Sequence, residues 1–164
     1  MRRIGTAITS SRNAKFRRGV AAVEFALTAP LLLLFLLGIW EMGRVVDVEQ
    51  MLNNAAAQGG RQASTGVYTN AQVQSMVVNY LAMAGLPTQD VVVTVSDLTN
   101  PGTDVSQATQ LDQLQVSVTI PYSDVRWTTA SLVMTPTTLL KGQAVWYSAM
   151  NAAYPSNISV PSGY

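Results

Sequence analysis

The feature that most constrains this chain is a long apolar run from Val20 to Trp40, VAAVEFALTAPLLLLFLLGIW. The run is 21 residues long and contains one charged side chain, Glu24. About 20 apolar residues in a helix cross the ~30 Å hydrocarbon core of a bilayer. The apolar region of a secretory signal peptide is shorter, about 7 to 15 residues, and small residues precede its cleavage site, where this chain has Trp40, Glu41 and Met42. We therefore predict that the run is retained as a transmembrane segment.

The charges on either side of the run predict its orientation. Residues 1–19 carry six of the ten basic residues and no acidic one, whereas the remainder has four basic and nine acidic residues, a net charge of −5. Basic flanks stay in the cytoplasm. We predict a basic cytoplasmic leader over 1–19, a transmembrane segment over 20–40 and a C-terminal part across the membrane. An apolar run directly after the basic residues favours a membrane signal over a nucleic-acid site.

The composition weakens most enzyme hypotheses. The chain has no Cys and no His, so it has no disulfide, no thiol nucleophile and no imidazole, which is the commonest general base and metal ligand. No Walker loop, GxSxG or HExxH sequence occurs. We expect a protein that is not an enzyme and uses no cofactor and no metal. A membrane-tethered enzyme would need a polar constellation that the sequence does not show.

Three aspartates are candidates for a calcium site. Asp97, Asp104 and Asp112 lie in or beside a polar segment over 98–110. Their spacing does not match an EF-hand loop, and the closing glutamate of such a loop is missing. The sequence therefore favours a solvated loop.

Helical periodicity continues beyond the apolar run. Small and apolar residues, with one glutamate, recur at steps of three and four, a helical stripe: Gly38, Glu41, Val45, Val48, Leu52, Ala55 and Gly59. We predict one helix over about 20–59, with 41–60 continuing the transmembrane segment and Gly59-Gly60 ending it. The small residues of the stripe permit close packing. Its partner is either the C-terminal domain of the same chain or another subunit.

Residues 61–164 predict a small α+β domain. A second helix is expected to begin with Asn70 as its cap, to stop at Gly85 and Pro87, and to present one apolar face: Val73, Met76, Val77, Tyr80 and Leu81. Strands are predicted over 91–96, 113–120 and 138–150 as an antiparallel meander. Residues 123–137 are expected to be irregular or briefly helical, and the last dozen residues a loose tail.

The aromatic residues have two interpretations. Trp127, Trp146, Tyr122 and Tyr147 could form a binding patch, but the core of a small domain explains them more simply. Trp40, at the end of the apolar run, fits an anchor at the membrane interface.

The junction between leader and span resembles the processing site of type IV pilins and pseudopilins. Arg17-Arg18-Gly19 is followed by an apolar residue, Val20, with Glu24 fifth and Phe25 sixth after the glycine. The longer stretch RRGVAAVEFALTAPLLLLFLLGIWEMGR, continuing to LNNAAAQGGRQAS, is similar to the TadE-like family, the minor pseudopilins of the tight-adherence (Tad/Flp) pilus machinery. The similarity covers about residues 17–64. LLKGQAVWYSAM resembles the closing strand of the family more loosely, and TadF-like members share this layout.

The resemblance implies a set of roles near the N-terminus. A prepilin peptidase would cleave between Gly19 and Val20 on the cytoplasmic side. In the pilin family the glutamate at the position of Glu24 is thought to meet the terminal amine of a neighbouring subunit. The alternative is that Glu24 snorkels to the headgroups. Pro30 lacks the N–H that would bond the Ala26 carbonyl, so a helix kink is expected there.

The resulting functional hypothesis is a minor pilin-like (pseudopilin) subunit for assembly of a Tad/Flp pilus. It would cross the bacterial inner membrane once, with a periplasmic C-terminal domain, and stay there or become pilus-associated. The implied partners are the prepilin peptidase, other pilin and pseudopilin subunits and the Tad secretion apparatus. The alternative is an uncleaved, single-span anchored scaffold with a periplasmic interaction domain.

Overall fold

A computed structural model of the chain describes the backbone over residues 9–127 and 134–150, and the side chains from residue 19 onward within those ranges. The helices are α1, Thr9–Ala63, α2, Asn70–Met83, and a short α3, Tyr122–Val125. The strands are β1, Val92–Asp97, β2, Gln113–Pro121, and β3, Leu139–Tyr147, with one 3-10 turn at Val105–Gln107. The predicted α+β class, with a long N-terminal helix, a second helix and a three-stranded antiparallel sheet, is confirmed.

Helix α1 is longer than predicted at both ends. It begins before the apolar run, at Thr9, and continues through Gly59 and Gly60 to Ala63. A Cβ atom on Gly59 would lie 2.5 Å from Cγ2 of Val77, and one on Gly60 would overlap the indole of Trp146. The two glycines therefore permit α2 and β3 to pack closely against α1. The prediction that they end the helix is wrong.

The helical stripe of α1 packs on the C-terminal domain of its own chain. Val48, Leu52 and Ala55 are fully buried, and Glu41 and Val45 are nearly so. Helix α1 contacts β3, β2 and α2. The sequence left open whether the stripe packs on the C-terminal domain of its own chain or on another subunit. In the structure it packs on its own chain. The described residues from Val45 onward form one head around a common core.

The sheet is a meander in the order β1-β2-β3. The alternation predicted for β2 is confirmed, because Leu114, Val116, Val118 and Ile120 are all 0% exposed. Strand β3 ends at Tyr147, earlier than predicted. Beyond it the Ser148 N–H still donates across to the Asp112 carbonyl, whereas the Ala149 N–H donates to the Ser64 carbonyl, so the chain turns away from β2 after Ser148.

Helix α2 differs from its prediction in two details. Its N-cap is Thr69, which forms a capping box with Gln72, whereas Asn70 is the first helical residue. The buried face is narrower than expected, because Val73, Val77 and Leu81 are buried but Met76 is half-buried and Tyr80 is 39% exposed. The α3 turn is the helical excursion expected after residue 122. The predicted tail over 153–164 lies outside the described residues.

Candidate functional site

The residues of the predicted processing site lie on an exposed part of α1. Gly19, Val20, Glu24 and Phe25 are all exposed, Val20 by 46% and Phe25 by 66%. The stretch from Gly19 to Ala63 contains a window of mean hydropathy 2.3 that is 0% buried. This apolar surface is covered by no described part of the head. Among the described residues, one helix is thus long and apolar enough to cross a membrane.

The Thr28 hydroxyl makes two side-chain hydrogen bonds to the helix turn before Pro30. The Thr28 hydroxyl lies 3.0 Å from the Glu24 carbonyl oxygen and 3.2 Å from that of Phe25. Pro30 lies inside the unbroken helix α1. Its ring removes the N–H that would serve the Ala26 carbonyl. The kink at Pro30 stays a prediction, as does the peptidase cleavage between Gly19 and Val20.

A second polar group lies where α1 leaves the apolar run. The Tyr122 hydroxyl donates to Oε1 of Glu41 over 2.6 Å. Both side chains are buried, with Glu41 6% and Tyr122 1% exposed. Burial, followed by the hydrogen bond to Glu41, raises the pKa of Tyr122 to about 12. The phenol is therefore a neutral donor at physiological pH, and it fixes α3 to the helix that carries the apolar run.

Arg44 makes a second connection beside the first. Its Nε donates to the Val125 carbonyl over 3.1 Å, and its Nη1 lies 3.0 Å from Oδ2 of Asp47. The guanidinium carbon lies 5.3 Å from the centre of the Trp127 ring, within cation–π distance. Trp127 in turn meets Trp40 edge-to-face, with ring centres 6.0 Å apart. The ion pair with Asp47 stays within α1, whereas the bond to Val125 connects α1 to the head.

Together these side chains enclose a cavity of about 210 Å³, here called the juxtamembrane cavity. Its lining comes from α1 and from the α3 region: Leu37, Trp40, Glu41, Arg44, Tyr122 and Trp127. Glu41 belonged to the predicted stripe, which indicated that it would be buried. Its partner, Tyr122, is 81 residues away, and no sequence pattern connected the two.

The prediction that the aromatic residues form the core is right for Tyr122 alone. Trp127 is 66% exposed, Tyr147 58% and Trp146 36%. Trp127 lies beside the cavity, and Trp146 packs against Gly60. These three rings are therefore at least partly exposed at the surface of the described head and do not form its core.

The aspartates accept hydrogen bonds within loops. The sequence favoured a solvated loop, but two of the carboxylates, Asp97 and Asp112, are buried. Asp97 is 1% exposed, and its Oδ1 accepts from the N–H groups of Thr99 and Asn100. Asp112 is 5% exposed, and Thr109 donates to its Oδ2 through backbone and hydroxyl. These two bonds hold the pKa of Asp112 below its ordinary value.

Asp104 connects the loop to α2. Burial alone would raise the pKa of its carboxyl, but hydrogen bonds from the backbone N–H groups of Ser106 and Asn70 and from the Ser106 hydroxyl lower that pKa overall. Asn70 returns a bond by accepting from the Val105 N–H over 3.1 Å. Within the described ranges, no three carboxylates gather as a metal site would require.

Comparison with known proteins connects the N-terminal helix to one family. The family model described as TadE-like protein matches residues 19–61, about a quarter of the chain. The resemblance drawn from the sequence is thereby confirmed over this segment, which indicates involvement in Tad pilus systems. No curated protein and no solved structure matches the chain.

Proposed function

We propose, from the match of residues 19–61 to the TadE-like family, that this chain is a minor pseudopilin of a Tad/Flp pilus. A prepilin peptidase removes the basic leader by cleaving between Gly19 and Val20. The mature helix then packs among the helices of other pilin and pseudopilin subunits. The family is structural and pilus-associated, so the proposed role is that of a subunit and not of an enzyme.

The observation that carries this proposal is the division of α1 into two parts. From Val45 onward its stripe is buried against the head, whereas the segment from Val20 to Trp40 leaves its apolar side chains exposed. Such a surface needs lipid or other helices around it. The first part is therefore available for packing in the membrane and, after assembly, in a fibre.

Glu24 is the polar group that this packing would use. A charged side chain at the centre of a bilayer costs about 2.5 to 3.5 kcal/mol on translocon insertion scales and less near the end of a span, where Glu24 lies, and such groups usually have a partner or a functional role. Cleavage would create an α-amine at Val20, one helical turn or about 6 Å along the axis from Glu24. An ion pair from the Glu24 of one subunit to the amine of the next fixes register more than it adds stability.

The leader has to be removed before that amine exists. In the structure the Gly19–Val20 bond lies within α1, which begins at Thr9. Glycine is the poorest helix former after proline, so the turn at Gly19 opens at low cost. The basic leader keeps this bond at the cytoplasmic face, where the peptidase would reach it.

Pilus assembly is tested in a piliated bacterium from which the gene for this protein has been deleted, by expressing the wild type or a variant in its place. Glu24→Gln removes the negative charge and keeps the shape. We expect it to insert in the membrane at wild-type level and to lower the number of surface pili about tenfold or more, the factor for losing about 1.4 kcal/mol. Glu49→Gln, the same substitution on α1 beyond the span, is the matched control. Normal piliation with Glu24→Gln would refute the role of the glutamate.

A further inference from the structure

The juxtamembrane cavity lies at the depth of the lipid headgroups if α1 spans the membrane as proposed. A hydrocarbon core of ~30 Å takes up about 20 helical residues, which carries the span from Val20 to about Trp40. Leu37 and Trp40 are 41% and 62% exposed, whereas Val45, one turn beyond, is 3% exposed. The cavity is therefore continuous with the surface that lipid covers and ends where the head begins.

We propose that this cavity is a binding site for the headgroup of a zwitterionic phospholipid, of the phosphatidylethanolamine class, from the periplasmic leaflet. This inference rests on the proposed membrane anchoring of α1. At about 210 Å³ the cavity is smaller than the ~300 to 1,000 Å³ of typical sites for drug-sized ligands. It is therefore suited to a headgroup, while the acyl chains lie along the exposed side of α1.

Arg44 supplies the contact for the phosphate. Of its five N–H donors, Nε is used by the Val125 carbonyl and one on Nη1 by Asp47. Its Nη2 donates to no group in the part of the chain that the structure describes. A guanidinium binds phosphate oxygens through two parallel hydrogen bonds, and the low exposure of the Arg44 side chain, 16%, strengthens such bonds.

The second charge of the headgroup distinguishes a zwitterionic lipid from an anionic one. Two carboxylates lie beside Arg44: Glu41 lines the cavity, and Asp47, which is 51% exposed and not part of the lining, is paired with Arg44, so one cation stands among two anions. The ammonium of ethanolamine matches the Asp47 end and the phosphate matches the Arg44 end. An anionic headgroup without the ammonium would face Asp47 uncompensated. Trp40, whose ring meets that of Trp127 edge-to-face, adds an aromatic surface for the ammonium, whereas Trp127 lies against the Arg44 guanidinium.

The test uses the full chain extracted from membranes and exchanged with equal amounts of palmitoyl-oleoyl phosphatidylethanolamine and phosphatidylglycerol in detergent. Native mass spectrometry counts the lipid that stays bound. We expect one phosphatidylethanolamine per chain, retained about tenfold over phosphatidylglycerol. Arg44→Gln and Trp127→Ala should each lower the retention of phosphatidylethanolamine about tenfold. The first loses a charge-assisted hydrogen bond to the phosphate, and the second loses the cation–π contact that holds Arg44. Arg61→Gln, on an exposed side of α1 in the head, should not change it.

A folding control on the Trp127 variant keeps the outcomes distinct. Trp127 is 66% exposed, so Trp127→Ala removes a wall of the cavity without opening the core, and its far-ultraviolet circular dichroism should match the wild type. Equal retention of both lipids, or retention unchanged in both variants, would overturn the proposed site, as would a peptide bound there in place of lipid. A chain that still needs detergent but holds no lipid would refute the site and leave the anchoring intact.

Discussion

The crossing of α1 over β3 at Gly142 is the contact most sensitive to one added atom. A Cβ on Gly142 would lie 2.5 Å from the Asn53 nitrogen and 2.6 Å from Cβ of Leu52, whereas unstrained carbon contacts are about 3.5 to 4.0 Å. Two of these neighbours are backbone or Cβ atoms that cannot turn aside. Gly142→Ala therefore has to push α1 about 1 Å away from the sheet.

The expected cost follows from two opposing effects. Overpacking of this kind destabilises by about 1 to 3 kcal/mol, and the retreat of α1 weakens the 3.1 Å bond from the Gln143 N–H to Asn53, worth about 0.5 to 1.5 kcal/mol. Alanine recovers about 0.5 to 1 kcal/mol by restricting the unfolded chain. The net loss for Gly142→Ala is about 2 kcal/mol.

Urea unfolding of the full chain in detergent, followed by tryptophan fluorescence, measures this loss. With a slope of about 1 to 3 kcal/mol per molar urea, the midpoint should fall by about 1 M. Gly43→Ala is the control, because Gly43 is exposed on α1 and a Cβ there meets nothing within 4 Å. It should leave the midpoint unchanged or raise it slightly. A midpoint for Gly142→Ala equal to that of the control would refute the close crossing.

Substitutions at three further positions test separate parts of the head. Tyr122→Phe should destabilise by about 1 to 3 kcal/mol at pH 8, because the buried Glu41 loses a donor. The folded-state pKa of Tyr122 is raised from 10.0 to about 12, so its contribution is complete below pH 10 and the difference from Tyr122→Phe should shrink as the pH of the urea titration rises to 12. Asp97→Ala should cost about 1 to 2 kcal/mol in thermal unfolding and Asp97→Asn much less, because Asn keeps the oxygen that accepts from two loop N–H groups; equal losses would refute the capping role. Leu111 has φ 67° and is 69% exposed, so Leu111→Gly should raise the unfolding free energy by up to about 1 kcal/mol, and a loss would show that the turn is not strained.

The elements with strong periodicity were predictable from the sequence. The stripe from Glu41 to Gly59 repeats at the helical period and is buried, and β2 alternates and is buried on one face. The apolar run from Val20 to Trp40 was predictable as an exposed helical segment, and it lies within α1 with its apolar side chains exposed. In each case one local pattern was sufficient.

The ends of elements and the partners of side chains were less predictable. Gly59-Gly60 has the composition of a helix stop, yet the packing of Val77 and Trp146 against these glycines lets α1 continue. Tyr122 and Glu41 are far apart in sequence, and their contact depends on how the sheet places α3. Tertiary packing decides both features, and no local pattern records it.

The most direct test of the proposed function is the N-terminal residue of the chain extracted from membranes, determined by intact mass and Edman sequencing. The chain is expressed with and without a prepilin peptidase. The account predicts a mature chain that begins at Val20 only when the peptidase is present. A chain that keeps residues 1–19 under both conditions would contradict it, and the protein would then be a fixed anchor with Glu24 at the headgroups.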